Sequence, residues 1–460
     1  MATTPRSAHP RLRRALGTLA AGSLALSPVA WAQQGSPQGV VQIAGGSGGA
    51  AIPGDFVGIS YEHNMLLRDI DRLDGLTGLI GLYRLLGADL SVRIGGATSD
   101  RDLPPYTDSQ LAGIAGFVRA VGSATPLIYG LNFRTGDPEQ DAADARRLSK
   151  LLGDRVIFQI GNEPDIYGMP FDAYIARWRT LHDAVAQAVP GARFAGPDVA
   201  KVGDWPARFA GQAGRDVVML TQHVYGAPSN ADDSRVILKA WTKRIDVVGR
   251  NCLQAPHVAA RALPCRITEG GSLNGGANRN TAASLGGAVY NLKTLSTLAA
   301  TGWVGFNFHG DVRRTVFGGY HPTRLTAGGD YVAQPTFYAM WMFSRLQGGR
   351  MLRIAQNSLP RSASALAVAM PGGQRRMLMT NLSLAPLAVT VRMQGGGVQG
   401  ETLTLTAPSF TATTVTINAQ QIPANGRGGF APPPVPVRAD AAGFRLTVPA
   451  SSATLLTVGR

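Results

Sequence analysis

Cysteine and histidine are scarce: the 460 residues include two Cys and seven His. Neither type clusters with metal-ligand spacing, which speaks against a metal centre, and nothing implies an organic cofactor. Charged residues are also few, at 16%, while hydrophobic residues reach 45%. That balance supports a large buried core and excludes a disordered chain. Acids are the scarcer sign, 29 against 44 Lys and Arg, giving a formal net charge of +15. A basic surplus favours anionic partners such as acidic polysaccharide, nucleic acid or a membrane surface. Dense basic runs interleaved with aromatics are missing, so nucleic acid is not the expected partner. Beyond the N-terminal segment no apolar run is long enough to span a bilayer, so a membrane is not expected either.

The N-terminal segment has its own character. Arg6, Arg11, Arg13 and Arg14 precede a small, mostly apolar stretch over 15–30, and Ala30-Trp31-Ala32 suits a signal peptidase. Residues 1–32 read as an export signal, too short and too rich in small residues for an anchor. The mature protein is then expected in the periplasm or outside the cell. Cleavage removes four arginines and no acid, so the formal charge falls to +11. In an exported chain Cys252 and Cys265 read as a disulfide closing a short loop, with two free buried thiols as the alternative.

Between 56 and 308, eight short apolar segments alternate with stretches of helical apolar spacing. The segments are 56–60, 89–94, 126–131, 156–160, 193–196, 217–225, 265–268 and 303–308. This pattern predicts an α/β fold, a (β/α)8 TIM barrel over 53–346. Trp178, Trp241 and Trp341 sit at helical spacing among apolar residues and read as core. After 347 the segments alternate, are rich in Thr and Val, and are separated by Gly or Pro turns. That predicts a C-terminal antiparallel β-sandwich over 347–460, with 432–436 as a surface loop and residues 33–52 supplying one more strand. Gly45-Gly-Ser-Gly-Gly49 lacks phosphate-loop spacing and reads as a turn.

Two segments end in a carboxylate. The fourth runs into Gly161-Asn162-Glu163-Pro164, and the seventh into Glu269-Gly-Gly271, 106 residues later. Strand ends of a parallel barrel converge on one face, so distant residues can share a cleft. Two carboxylates in one cleft are the minimum equipment for glycosidic cleavage: one as acid, the other as nucleophile. Asn162 stands where its amide can hold a sugar hydroxyl beside the reacting carbon.

Gly161-Asn162-Glu163-Pro164 with a strand-seven Glu resembles the pattern of clan A glycoside hydrolases. Arg93-Ile-Gly-Gly-Ala-Thr-Ser-Asp100 and Phe56-Val-Gly-Ile-Ser-Tyr-Glu62 resemble strands two and one of glycoside hydrolase family 79, the heparanases and β-glucuronidases. The resemblance implies a retaining enzyme with Glu163 as acid/base and Glu269 as nucleophile. It implies that Tyr225 bonds near the nucleophile, that Asp100 holds a hydroxyl of the terminal sugar, and that Glu62 assists. The uronate carboxylate would meet backbone N–H groups of the loop 272–277, where Asn274 and Gly276 are candidates, and Tyr320. Ala97 and Asn274 depart from the family, which carries Asn and an aromatic residue there.

His223 and His309, at strand ends, are candidates to touch substrate or to serve as satisfied structural histidines. Arg279, Arg313, Arg314 and Arg324 fall on loops expected to rim the cleft, where arginine forks suit carboxylate and sulfate. The expected partner is a uronic-acid-containing oligo- or polysaccharide, its sulfation open. The expected activity is exo-β-glucuronidase, with heparanase-like endo-cleavage of heparan-type polysaccharide as the alternative. A non-catalytic carbohydrate-binding barrel and another clan A specificity, arabinofuranoside or xyloside cleavage, are the remaining readings.

Overall fold

The apolar segments become strands because each is short, rich in Val, Ile and Phe, and bounded by turn residues. The computed structural model describes residues 38–46, 48–65, 73–101, 104–122, 124–227, 239–240, 252, 256–273, 279–312, 319–395 and 397–459. The expected signal segment 1–32, Asn274, Gly276, Arg313, Arg314 and Trp241 lie outside these residues, as does the Arg279 side chain.

The first described strand, β1 (Gln38–Ile43), belongs to the second domain. Eight strands follow: β2 (Val57–Glu62), β3 (Ser91–Gly95), β4 (Leu127–Leu131), β5 (Val156–Ile160), β6 (Arg193–Val199), β7 (Val217–Ala227), β8 (Cys265–Leu273) and β9 (Gly305–His309). They pair in that order, every pair parallel, and β9 returns to β2 through Val57↔Phe306 to close a (β/α)8 barrel. Strands of a closed parallel barrel are covered on both faces, so they read as unbroken apolar runs. β3, β4, β5 and β9 are buried at every position.

The connecting helices carry their own start signals. Asp108–Ala120 begins with a capping box from Thr107 and Gln110, and Pro138–Leu152 with an Asp137 cap and Pro at its first position. Trp178 and Trp341 are buried in the core, as their spacing predicts.

After the barrel come a hairpin of β10 (Thr323–Leu325) and β11 (Tyr331–Ala333), then ten strands. These are β12 (Arg350–Met351), β13 (Ile354–Asn357), β14 (Ala363–Ala369), β15 (Arg375–Asn381), β16 (Leu387–Met393), β17 (Gln399–Thr406), β18 (Thr416–Ile417), β19 (Val435–Arg438), β20 (Phe444–Val448) and β21 (Ser452–Val458). They form two sheets, β13-β1-β16-β20 and β12-β14-β15-β21-β17-β18, with β19 also paired on β17.

Met377 and Met379 of β15 and Leu456 of β21 face a core shared with Val41, Val389 and Phe444. Their neighbours Leu378 and Leu455 join the barrel's core instead. The larger sheet is therefore covered on both sides, and the almost wholly buried helix Leu285–Ala300 fills the space towards the barrel. Three expectations need correction. The 432–436 loop ends inside β19, where Pro436 opposes Glu401 at a sheet edge that tolerates a missing N–H. Of the alternating C-terminal segments read as sandwich strands, the one over 412–417 forms a strand only at Thr416–Ile417. Arg324 lies in β10 rather than on a loop.

Cys252 and Cys265 form a disulfide across 13 residues, tying the approach segment to the first residue of β8. Replacing both by Ser is expected to lower unfolding stability by about 3 kcal/mol, the entropy released by opening a loop of that size. Urea unfolding of oxidised wild type and double variant checks this.

Candidate active site

Arg93 stands on β3 with no exposed surface, and a buried guanidinium must find partners for five N–H groups. Nε donates to Gln159 Oε1 at 2.7 Å. Nη1 donates to Ser60 Oγ at 2.9 Å and Glu269 Oε2 at 3.0 Å. Nη2 donates to Asn162 Oδ1 at 2.9 Å and Asp198 Oδ2 at 2.6 Å. Asp198 is equally buried, and its Oδ1 accepts from Gln159 Nε2 and Thr268 Oγ1. Burial opposes ionisation of Asp198, yet Arg93 and His223 hold its carboxyl below the usual range.

The turn after β5 brings Glu163 to this floor. Gly161 has φ +94°, and a Cβ there would meet Phe133 Cβ at 2.7 Å, so only glycine fits. Glu163 itself is left-handed at φ 51°, a conformation a non-glycine residue holds only under constraint. Its N–H donates to Asp198 O at 2.9 Å. Glu269 departs from its expected place just past a strand end: β8 continues to Leu273, and the residue lies inside the strand, 6% exposed. Pairing of His223 with Glu269 and Gly270 with Phe308 carries the strand past it.

These elements bring the two glutamates together. A carboxylate oxygen of Glu163, a ring nitrogen of His223 and a carboxylate oxygen of Glu269 lie within 4.8 Å of one another. Glu269 Oε1 accepts from Tyr225 Oη at 2.8 Å, with His309 Nδ1 at 3.3 Å. Burial disfavours its charge, but His309, His223 and Arg93 outweigh this and hold the carboxyl well below its ordinary value. Burial, then the Glu269 charge, pushes the Tyr225 phenol up, which keeps it a donor. His309 is likewise raised: burial works against the charged ring, and Glu269 overrides it.

The remaining predicted residues divide between those at the cleft and those behind it. Asn162 has its Oδ1 engaged by Arg93, which orients the amide and leaves its N–H groups for a ligand. Tyr320 packs on Tyr225 at 5.2 Å between ring centroids, and its Oη is 3.5 Å from His309 Nδ1. Glu62 reaches the site, with an oxygen within 4.8 Å of both Glu269 and His309 ligand atoms, and also accepts from Ala97 N, Thr98 N and Thr98 Oγ1.

Asp100 is a correction. It is 2% exposed, Oδ1 accepts from Phe133 N and Arg134 N, and Oδ2 from Asn162 N and Tyr167 Oη. Four protein donors occupy the carboxylate, so it shapes the Asn162–Glu163 turn rather than holding a sugar. His223 is a second correction: at 1% exposure it sits behind Glu163, not beside substrate. Its Nδ1 is 2.8 Å from Glu163 Oε1. Nε2 lies 2.9 Å from Asp198 Oδ2 as an ion pair, its N–H not aligned on that oxygen. Despite burial, Asp198 and Glu269 push this ring up to about 10. Each His-carboxylate cluster has the compactness of a metal cradle, and a metal there would have to displace the proton that the neighbouring carboxylates favour on His223 and His309.

Sequence reasoning gave no role to Arg93, Gln159 or Asp198. A signal for the first two was present, since Gln159 is the one polar residue of β5 and Arg93 the one charged residue of β3. Asp198 had none: its place depends on a left-handed turn, φ 60°, at the end of β6.

No family model matches the sequence, and no curated protein sequence does. Solved structures do match. A 4-O-α-L-rhamnosyl-β-D-glucuronidase from Fusarium oxysporum 12S superposes with a TM-score of 0.70 at 17% identity, covering 91% of this chain and 100% of that one. A GH51 arabinofuranosidase from Xanthomonas axonopodis pv. citri gives 0.67 at 17% identity, covering 92% and 99%. A family 51 α-L-arabinofuranosidase from Bifidobacterium longum gives 0.67 at 14% identity, with the same coverage. All three are glycosidases, and the shared feature at this identity is the fold.

Two outcomes follow from the network. Arg93→Met leaves Asp198 and Glu269 without their shared cation and should cost about 3–5 kcal/mol, read by chemical denaturation. A raised histidine stabilises fully below its unfolded value of about 6.5. That stability is lost as pH rises through its folded value of about 10. Alkaline loss of stability over this window should therefore flatten in His223→Gln. On the acid side the depressed Asp198 and Glu269 act oppositely, contributing above about pH 4 and losing the effect below it.

Proposed function

We propose that the protein is a retaining glycoside hydrolase that releases β-linked glucuronic acid by double displacement. The observation that carries this is the approach of Glu163 and Glu269 oxygens to within 4.8 Å. Retaining enzymes hold their carboxyls roughly 5–5.5 Å apart, whereas inverting enzymes need about 6.5–9.5 Å to admit a water. Glu269, buried and held ionised by Arg93, His309 and Tyr225, attacks the anomeric carbon. Glu163 gives its proton to the leaving oxygen as the glycosidic bond breaks. Water then attacks the glycosyl-enzyme, its proton passes to Glu163, and Glu269 departs as a carboxylate.

The uronate assignment is supported by the family 79 resemblance, by Tyr320 beside Tyr225, and by the likeness to a protein described as a β-D-glucuronidase. Exo release is our preferred mode, and endo-cleavage of a heparan-type chain is its alternative. The likeness to arabinofuranosidases gives a second specificity to test. Export after cleavage near Ala32 belongs to the same proposal, and N-terminal sequencing of the mature protein checks it.

Aryl glycosides decide the reaction. 4-Nitrophenyl β-D-glucuronide should be turned over, and the corresponding α-L-arabinofuranoside should not. Glu269→Gln should lose turnover of every aryl glycoside. Glu163→Gln should lose about 10²–10⁴-fold on poor leaving groups and far less on dinitrophenolate, which leaves without a proton. Unchanged turnover in Glu269→Gln would sink the nucleophile assignment.

A further inference from the structure

The chain's positive charge is unevenly placed. Residues 351–460 hold nine arginines, no lysine and two acids, Glu401 and Asp440, a formal +7 of the chain's +15 in under a quarter of its length. The fold gathers five of these arginines at one end of the sandwich. β15 begins there with Arg375 and Arg376, β16 ends one residue past Arg392, β19 ends at Arg438, and β20 begins with Phe444-Arg445. Strand pairing brings these ends together, through Arg375↔Val458, Gly400↔Val458, Gln399↔Arg438 and Val391↔Phe444. Arg375 Nη1 donates to Gln394 O, just past β16, at 2.5 Å, which ties the two sheets at this end. Arg392, Arg438 and Arg445 are exposed, and Arg375 and Arg376 are half-buried. Both acids of the domain lie here too, Asp440 paired with Arg445 at 2.9 Å and Glu401 on β17, so five cations meet two carboxylates.

A cleft of about 620 Å³ opens at the same end, with Gln374, Gln399, Glu401, Arg438 and Thr457 on its wall. That volume is within the range of ligand sites. Thr457 pairs with both Arg376 and Glu401, so these three share one face of the larger sheet. Arg376 Nη2 donates to Gln374 Oε1 at 3.2 Å, which leaves the Gln374 amide N–H groups to donate elsewhere. Arginine forks take a carboxylate through two parallel bonds, and Gln and Thr side chains suit hydroxyl groups. Carboxylates and hydroxyls together describe an acidic sugar chain. A nucleic acid is held by exposed rings on which bases stack. The aromatic residues of 351–460 are Phe410, Phe430 and Phe444; the first and last are buried, and Phe430 packs on Trp341. A bilayer surface is met by an amphipathic helix or a lipid anchor, whereas this end is built of strands and turns.

We propose that this end of the sandwich is a second carbohydrate site, which holds a carboxylated polysaccharide chain on Arg392, Arg438 and the cleft beside them. It shares no residue with the surroundings of Glu163 and Glu269, and it goes beyond the reaction assigned above: the chain is retained here whether or not the barrel cuts it.

Binding is measured by isothermal titration calorimetry on Glu269→Gln protein, so that turnover does not intrude. The probes are polygalacturonate, its fully methyl-esterified form, poly(dT) and phosphatidylglycerol vesicles. Polygalacturonate should bind in 50 mM NaCl and weaken about tenfold in 500 mM, where the charges are screened. The esterified polymer should bind about tenfold less tightly than the acid. Adding Arg392→Gln with Arg438→Gln should weaken polygalacturonate about tenfold. Arg84→Gln with Arg119→Gln, which removes the same charge from exposed positions on barrel helices, should stay within about twofold. Gln399→Trp, an exposed change that fills the cleft, should weaken binding by a similar factor to the sandwich pair and guards against misfolding of that variant. The proposal is overturned if polygalacturonate does not bind, if the esterified form binds equally, or if poly(dT) or the vesicles bind more tightly. It is overturned too if the two arginine pairs weaken binding equally, or if the sandwich pair and Gln399→Trp both bind as the parent does. Failure of the reaction assignment reads separately, as no hydrolysis of 4-nitrophenyl β-D-glucuronide by wild type.

Discussion

A fully buried guanidinium is the constraint on which this barrel depends. Taking a cation out of water costs several kcal/mol unless the geometry around it is nearly complete. Arg93 meets that condition with partners on or just past four other strands: Ser60 on β2, Gln159 and Asn162 at β5, Asp198 on β6 and Glu269 on β8. A one-residue slip of any of these strands would turn its partner to the opposite face. The ion therefore fixes register around half the barrel, and it does so at the mouth, where chemistry needs the tightest placement. Under the proposed reaction, stability and function share one set of bonds here.

The same cation gives the two glutamates different surroundings. Glu269 has three protein groups on its oxygens, one of them the guanidinium itself, in a place with almost no solvent. Glu163 makes no bond to Arg93, meets His223 on one oxygen, and keeps 21% of its side chain exposed. Double displacement needs such a division, since one carboxylate must attack while the other exchanges protons. The left-handed backbones of Glu163 and Asp198 are joined by the Glu163 N–H to Asp198 carbonyl bond. Their strain is held by the network rather than by local preference.

Much of this was legible in the chain because it is local. Strands covered on both faces are mostly apolar, so all eight stood out, and only their ends moved by a few residues. The Gly-Asn-Glu-Pro turn announced itself through glycine and proline, whose backbone needs are specific. Glu163 was visible for the same reason, whereas the Gly-Gly after Glu269 suggested a strand end that the structure places four residues later. Asp100 shows the limit: a carboxylate near a barrel mouth was evident, but its direction was not. It turns towards the backbone of Phe133, Arg134 and Asn162 because those N–H groups lie outside the sheet ladder and need acceptors. His223 shows the same limit, since nothing near Gln222 or Val224 tells that Asp198 lies behind the ring.

By itself the sequence determined the kinds of element, their order, the change from barrel to sandwich near residue 347, and which barrel strands carry the two glutamates. Each of these follows from periodicity and turn chemistry within a few residues. Only the tertiary structure decided that Glu163 and Glu269 come within 4.8 Å, that Arg93 lies beneath them, and that Asp100 faces inward. Those facts arise from closing eight strands into a ring, where residues more than a hundred positions apart become neighbours and a buried charge chooses its partners in space.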